Sequence, residues 1–214
     1  MKAPFITFEG GEGSGKSTQI SLLKDFFASK NIDIVITKEP GGTPLGIELR
    51  RLLVEGAADK MDAVAEALLF FADRRIHLAQ KVWPALDAGK WVISDRFADS
   101  TMAYQYYAYD KRLSKEDIQT LYRFAVGDFE PDLTFVLDID PEIGLKRSFA
   151  KAATMTVQET RNESRVLMWH QNLRHGYLQI AKDNPQRCVV LDANVDVESL
   201  HKKITEVITE RFGI

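Results

Sequence analysis

The run Gly10-Gly-Glu-Gly-Ser-Gly-Lys16-Ser17 constrains the chain more than any other stretch. It follows a short β-like segment, Phe5–Glu9, and opens a helical pattern over Lys16–Lys30. Gly10, Gly11, Gly13 and Gly15, with Glu12 and Ser14 between them, let the backbone bend with its N–H groups facing inward, toward phosphate oxygens. The helix that follows adds the positive end of its dipole. Lys16 would then bridge the β- and γ-phosphates of a nucleoside triphosphate, Ser17 would give its hydroxyl to Mg2+, and Thr18 would complete the ATP-phosphate site. A bare strand-to-helix turn is the alternative. All fixed positions of G-x-x-x-x-G-K-S/T are matched in the required context, which favours the phosphate reading.

The rest of the chain repeats the strand–helix alternation. Strands are expected at Phe5–Glu9, Asp33–Lys38, Trp91–Asp95, Leu133–Asp138 and Cys188–Asp192, each apolar on consecutive positions, as in strands covered on both faces. Helices are expected over Lys16–Lys30, Pro44–Glu55, Asp62–Ala88, Ser100–Tyr109, Ser114–Val126, Pro141–Lys151, Arg161–Asp183 and Val197–Phe212. This order predicts an α/β chain with a five-stranded parallel sheet surrounded by helices, the three-layer fold of P-loop NTPases. At 214 residues it suits one domain, 1–214. The segment Ala150–Thr160 has no aromatic residue and weak periodicity; it reads either as a surface loop or as a mobile lid, about 148–162, over a nucleotide.

Charge and cysteine usage exclude several classes. A net charge of −3 offers no basic surplus for general nucleic-acid binding, so cationic groups must be concentrated in a site if polyanions are to bind. The single cysteine, Cys188, rules out an intrachain disulfide. The β-like start and the lack of a long apolar run argue against a secretory leader and a membrane helix, so the expected location is the cytoplasm.

Three clusters suggest a second ligand beside the triphosphate. Lys38-Glu-Pro40-Gly-Gly-Thr43 closes a strand at its carboxyl end, where parallel sheets bind ligands, although Pro-Gly-Gly is also simply a good turn. Phe70 and Arg74 lie four apart on one helix face, so ring and guanidinium can hold a base together; a core phenylalanine beside a surface arginine is the plain alternative. Ser94-Asp95-Arg96-Phe97 puts charge at a buried strand end, which is costly unless used. Arg96 could grip a phosphate with two parallel bonds, and Asp95 could orient it or hold water on Mg2+; a structural ion pair is the alternative. Glu12, within the phosphate turn, would be repelled by ATP unless it faces a hydroxyl of the second ligand or solvent.

With this turn, EPGGT, LLFFADR, DRF followed by S-T-x-A-Y-Q, and PDLTFVLD in order, the chain resembles the thymidylate kinase family from Phe5 to the last helix. The resemblance implies transfer of phosphate from ATP to dTMP with Mg2+, giving dTDP, in a homodimer that needs neither nucleic acid nor membrane. By resemblance, Glu12 meets the acceptor 3′-hydroxyl, Phe70 stacks on thymine and Arg74 contacts the base carbonyl. Arg96 grips the acceptor phosphate with Lys38, Pro40 and Arg50 near that pocket, and Asp95 is associated with Mg2+. Thr101 and Gln105 fall at base contacts, Tyr104 crowds a ribose 2′ position, and Arg147 lies over the adenine.

The chain departs from the family in three places. Phe97 replaces the usual Tyr or His, Lys38 replaces an arginine, and neither the phosphate turn nor the early lid carries an arginine. Arg161, before Asn-Glu163, is the expected transition-state cation, with Arg165 as the second candidate. A kinase for another nucleotide, a nucleotide-controlled switch protein and a catalytically impaired relative are the competing readings.

Overall fold

The computed structural model describes residues 3–57, 60–109, 113–152 and 165–214. Its five strands are β1 (Phe5–Glu9), β2 (Ile34–Lys38), β3 (Trp91–Asp95), β4 (Leu133–Asp138) and β5 (Cys188–Asp192). They form one sheet in the order β2-β3-β1-β4-β5, and every pairing is parallel. The α/β architecture expected from the sequence is therefore present.

The nine α-helices of the described residues are α1 (Lys16–Ser29), α2 (Pro44–Val54), α3 (Ala63–His77), α4 (Trp83–Asp87), α5 (Ala98–Met102), α6 (Lys115–Val126), α7 (Pro141–Ala152), α8 (Leu167–Asp183) and α9 (Val197–Phe212). The helix expected over Asp62–Ala88 is there, but a π-helical turn at Leu78–Val82 divides it into α3 and α4. Asp62 caps it, accepting a hydrogen bond from the Ala65 N–H at 2.8 Å. The helix expected over Ser100–Tyr109 starts earlier, at Ala98, and passes from α5 into a second π-helical turn, Ala103–Ala108. Helix α8 begins at Leu167 after an extended Val166; the expected start at Arg161 lies outside the described residues, as does most of the 148–162 segment.

Alternation along the strands sorts side chains into two helical layers. Ile6 and Phe8 of β1, with Ile93 of β3 and Leu133, Phe135 and Leu137 of β4, meet Leu23 and Phe27 of α1 and Ile204 and Ile208 of α9. On the opposite face, Phe5 and Val92 pack with Phe71 of α3, Phe97 and Ile118 of α6. Val136 meets Trp169, Leu173 and Tyr177 of α8. Phe5, Phe8 and Phe135 are wholly buried; removing any one ring would cost about 3–5 kcal/mol. The consequence for the site is directional. Odd positions of β1 face the α3–α6 and α8 side, so Glu9, the last of them, delivers its carboxylate beneath α5 and α8.

Candidate active site

A cleft of about 990 Å3 opens at the carboxyl ends of the strands. Its wall includes the turn after β1, Lys38 to Pro40 after β2, Asp95 to Phe97 after β3, Phe70 and Arg74 of α3, and Arg147 of α7. This is the end of a parallel sheet where loops of several strands converge on a ligand.

The turn after β1 is shaped by glycine at a place where nothing else fits. Gly13 has φ 68° and Gly15, which caps α1, φ 90°. A Cβ on Gly13 would lie 2.0 Å from the Gly144 carbonyl oxygen of α7, and a Cβ on Gly144 would lie 2.4 Å from the Glu12 carbonyl oxygen. Two glycines thus let the turn rest directly on α7. Gly15 makes no side-chain cap, which leaves the first N–H groups of α1 facing the cleft. Lys16 curls back over the turn: its ammonium donates to the carbonyls of Gly10 and Gly11, both at 3.0 Å, and to Ser14 Oγ at 3.3 Å. Burial, with help from the nearby Arg96 cation, lowers this ammonium to about 8.

Ser17 donates to Asp95 Oδ2 at 3.0 Å. A hydroxyl and a carboxylate side by side next to a phosphate cradle suit Mg2+, which takes few protein ligands and keeps water and phosphate oxygens for the rest. Among the described residues no group of three or more His, Cys, Asp and Glu gathers to hold a metal unaided. Thr18 is exposed at the cleft wall.

Arg96 occupies the centre of the cleft. Its backbone has φ 73°, unusual for a residue with a Cβ, and its N–H donates to the Phe8 carbonyl at 2.9 Å. Nη1 donates to Gly10 O at 3.1 Å, Ser100 Oγ at 3.1 Å and Tyr177 Oη at 2.7 Å. Nη2 reaches Glu12 Oε1 only at 3.4 Å, and the guanidinium carbon lies 5.2 Å from the centre of the Tyr104 ring. Glu12 Oε1 also accepts from Tyr104 Oη at 2.7 Å. Burial pushes the Glu12 carboxyl up, but Arg96, Lys16 and the Tyr104 hydroxyl outweigh it and hold the group below its usual range. Glu12 therefore points away from the phosphate turn toward Arg96 and Tyr104, the side on which a second ligand would lie.

The loop after β2 is clamped to α3. Glu39, buried and followed by a cis peptide to Pro40, accepts from Arg74 Nε at 2.8 Å and pairs with His77 Nδ1 at 2.8 Å. His77 Nε2 meets Thr37 Oγ1 at 2.7 Å. Asp73 Oδ1 accepts from the Gly41 N–H at 3.2 Å, and burial, reinforced by Glu39, lifts its carboxyl to about 6. Arg74 also donates to Thr101 Oγ1 at 3.1 Å and sits between the Phe71 and Phe97 rings, 4.9 and 5.1 Å from their centres. The surface arginine considered as the alternative is thus excluded: Arg74 is 1% exposed, yet it reaches the cleft wall beside Phe70.

The structure brings Phe70, Thr101 and Tyr104 together along one wall with Arg96. It places Gln105 elsewhere. That side chain is wholly buried and donates to Glu66 Oε2 at 3.1 Å, away from the lining residues. Arg50 Nη1 donates to Pro40 O at 2.9 Å, and Lys38 is exposed at the cleft edge. Arg147 lines the opposite end and donates to the Ala193 carbonyl at 3.1 Å. Arg161 lies outside the described residues. Arg165 bonds to the Tyr109 hydroxyl and stacks 4.6 Å from the Tyr109 ring centre and 5.4 Å from that of Trp169.

Three residues of the site were not singled out from the sequence. Glu9 is wholly buried; it accepts from the Phe97 N–H at 2.7 Å and from Ser100 Oγ at 2.6 Å. Ser100 and Tyr177 join it to Arg96. Burial, with Asp99 adding to it, raises the Glu9 carboxyl to about 7. One signal was available: a charged residue ending the otherwise buried run FITFE.

The thymidylate kinase family model matches residues 8–204. A thymidylate kinase of Afipia carboxidovorans is 44% identical over 209 residues, covering 98% of this chain and 90% of the relative. One of Caulobacter vibrioides is 43% identical over 210 residues, 98% of each chain. One of Magnetococcus marinus is 41% identical over 214 residues, 100% of this chain and 99% of the relative. A family model spanning both halves of the cleft and near-complete alignment with these relatives lead to one conclusion: the chain belongs to the thymidylate kinase family.

Proposed function

We propose that this protein transfers the γ-phosphoryl group of ATP to dTMP, giving dTDP and ADP. The observation that carries the reading is the shared cleft: the phosphate turn and Arg147 lie at one end, and Phe70, Arg74 and Tyr104 at the other, with Arg96 between them. A switch protein has no use for that second half.

The acceptor is a phosphate monoester whose second pKa is about 6, so its oxygen is already anionic at neutral pH and no general base is needed. The obstacle is repulsion between two polyanions. Lys16, on leaving the carbonyls of Gly10 and Gly11, would meet the β- and γ-phosphates, while the N–H groups of the turn hold their oxygens. Ser17 and, through water, Asp95 would hold Mg2+, which when bound neutralises charge on those same oxygens. Arg96 would grip the acceptor phosphate and align it with the γ-phosphorus. Phe70 would stack on thymine, with Arg74 and Thr101 at its polar edge, and Tyr104 would close the space for a 2′-hydroxyl. Glu12 would accept the 3′-hydroxyl, for which its orientation toward Tyr104 is suited. Gln105 would reach the base only by leaving Glu66. Lys38, Pro40 and Arg50 would border the acceptor phosphate, and Arg147 the adenine.

We assign the transition-state cation to Arg161, carried on a lid at about 148–162 of a single domain. The stacking of Arg165 on Tyr109 and Trp169 supports this choice over the second candidate. A homodimer is part of the proposal: Val64 and Leu68, four apart on α3, and Leu52 of α2 are all exposed, an apolar face suited to a second copy. Its substrates are small soluble nucleotides, so the proposed location is the cytoplasm; no described helix is long and apolar enough to cross a membrane.

ADP release over a panel of dTMP, dUMP, dCMP and thymidine tests the reading. Turnover is expected with dTMP above all others. ADP formation that no monophosphate stimulates would sink it.

A further inference from the structure

The mechanism above gives the buried carboxylate of Glu9 no task. Glu9 is not itself a cleft-lining residue and lies behind Phe97 and Ser100, which are, yet a wholly buried carboxylate at the end of a central strand is costly to keep. Its surroundings are defined on every side. The Phe97 N–H and Ser100 Oγ bond to its two oxygens, Asp99 is a nearby like charge, and Arg96 is a nearby cation. Asp99 is itself held by Arg187, with contacts of 2.6 and 2.9 Å.

The chemistry of these groups fixes the direction of each hydrogen bond. Above about pH 7 the Glu9 carboxylate is ionised and only accepts, so there Ser100 must spend its one proton on Glu9. The 2.8 Å contact between Ser100 and Tyr177 then leaves Tyr177 as its donor. With its proton committed, the Tyr177 hydroxyl can offer only lone pairs to Arg96 Nη1, and Ser100 does the same. Donation therefore runs one way, from Arg96 through Tyr177 and Ser100 to Glu9. Nη1 is enclosed by three acceptors, whereas among the described residues Nη2 has only the long contact to Glu12.

We propose that Glu9 is a positioning residue for the acceptor phosphate: through Ser100 and Tyr177 it sets the polarity of the bonds that lock Nη1 of Arg96, and so holds the Nη2 edge toward the cleft. The left-handed backbone of Arg96 and the Phe97 N–H bond to Glu9 belong to the same device, since both fix where the side chain starts. The inference rests on the kinase reading and adds to it a residue that never meets substrate.

Glu9→Gln tests it. The amide oxygen can still accept from the Phe97 N–H, but the amide nitrogen must donate to Ser100 and turns that hydroxyl around. Tyr177 then loses its acceptor. Charge-assisted bonds contribute about 1.5–3 kcal/mol, so KM for dTMP is expected to rise roughly tenfold or more, with KM for ATP within about twofold of the parent. Tyr177→Phe, which cuts the same chain without changing the core volume much, is expected to do likewise. The double variant should be no worse than either single one, because both break one path. A purely structural role would lower thermal stability and leave the two KM values in their original ratio. An unchanged KM for dTMP in both single variants, additive losses, or equal rises for both substrates would overturn the proposal. Titration calorimetry with dTMP separates this from the reading beneath it. Weaker dTMP binding in Glu9→Gln supports the positioning role even if turnover is absent, and unchanged binding overturns it. A parent protein that neither binds nor phosphorylates dTMP overturns both.

Discussion

Gly144 touches no proposed substrate position, yet Gly144→Ala should cripple turnover. In a helix interior alanine is favoured over glycine by about 1 kcal/mol, so propensity alone predicts a more stable protein. Sterics decide otherwise. The new Cβ would stand 2.4 Å from the Glu12 carbonyl oxygen, and real contacts of this kind are essentially never below 3.0 Å, so at least 0.6 Å of movement is forced. The atom in the way is backbone, so no side-chain rotation relieves it. Either α7 retreats or the phosphate turn lifts, and Gly13, at φ 68°, is packed in turn against the Gly144 carbonyl. A displacement of about 1 Å in a positioning element costs on the order of 10²-fold in rate. We expect kcat/KM for ATP to fall roughly ten- to hundredfold, with stability lower by about 1–3 kcal/mol from overpacking. Steady-state ADP release and a urea melt measure the two quantities. A variant with parental kcat/KM for ATP and raised stability would refute the claim that the turn rests rigidly on α7.

Lys16→Ala should fold normally and lose phosphoryl transfer; since the ammonium sits at about 8 in the ligand-free protein, parental ATP affinity should also weaken as pH rises from 7 to 9, which nucleotide titrations would show. Arg161→Ala is expected to lower kcat by about 10³-fold or more while dTMP binding changes little; an unaltered kcat would move the role to Lys151 or Arg165. The Glu9 carboxyl, at 4.5 ordinarily and about 7 when folded, is protonated in both states at low pH and ionised in both above 7, so the folded state carries the ionisation penalty only as pH rises. Such a rise corresponds to about 3 kcal/mol, and Glu9→Gln should gain stability on its parent by up to that amount between pH 5 and 8. A pH-independent difference in denaturation midpoints would contradict this.

Periodicity in the sequence was enough to place β1, β3, β4 and β5 at the bounds later found. Each is a short apolar run whose flanking glycines, prolines or acids stop it sharply. Helix interruptions were less legible. Nothing in Leu78–Val82 or Ala103–Ala108 marks a π-helical turn, because the extra residue is accommodated by tertiary packing rather than by composition. The phosphate turn could be read because its backbone geometry demands glycine at fixed spacing. Glu9 and Tyr177 could not be read as partners of Arg96: they lie 87 positions before and 81 after it in the chain, and only the fold makes them neighbours. Glu39 and His77 were hidden for the same reason, as one closes a strand and the other ends α3. Gln105 shows the converse, a residue suggested by resemblance whose resting partner, Glu66, no local pattern announces.

The π-helical turn at Ala103–Ala108 has a consequence for insertions and deletions. A bulge of this kind is an α-helix carrying one surplus residue, and each residue turns a helix by about 100°. Upstream of it Thr101 looks into the cleft; within and beyond it Gln105 and Tyr109 meet Glu66 instead. Loss of a single codon here would regularise the helix, swing its far half by more than a quarter-turn and exchange which aromatic and amide groups face the cleft. The same loss at the exposed end of α9 would shorten the chain and leave the catalytic end of the sheet as it was.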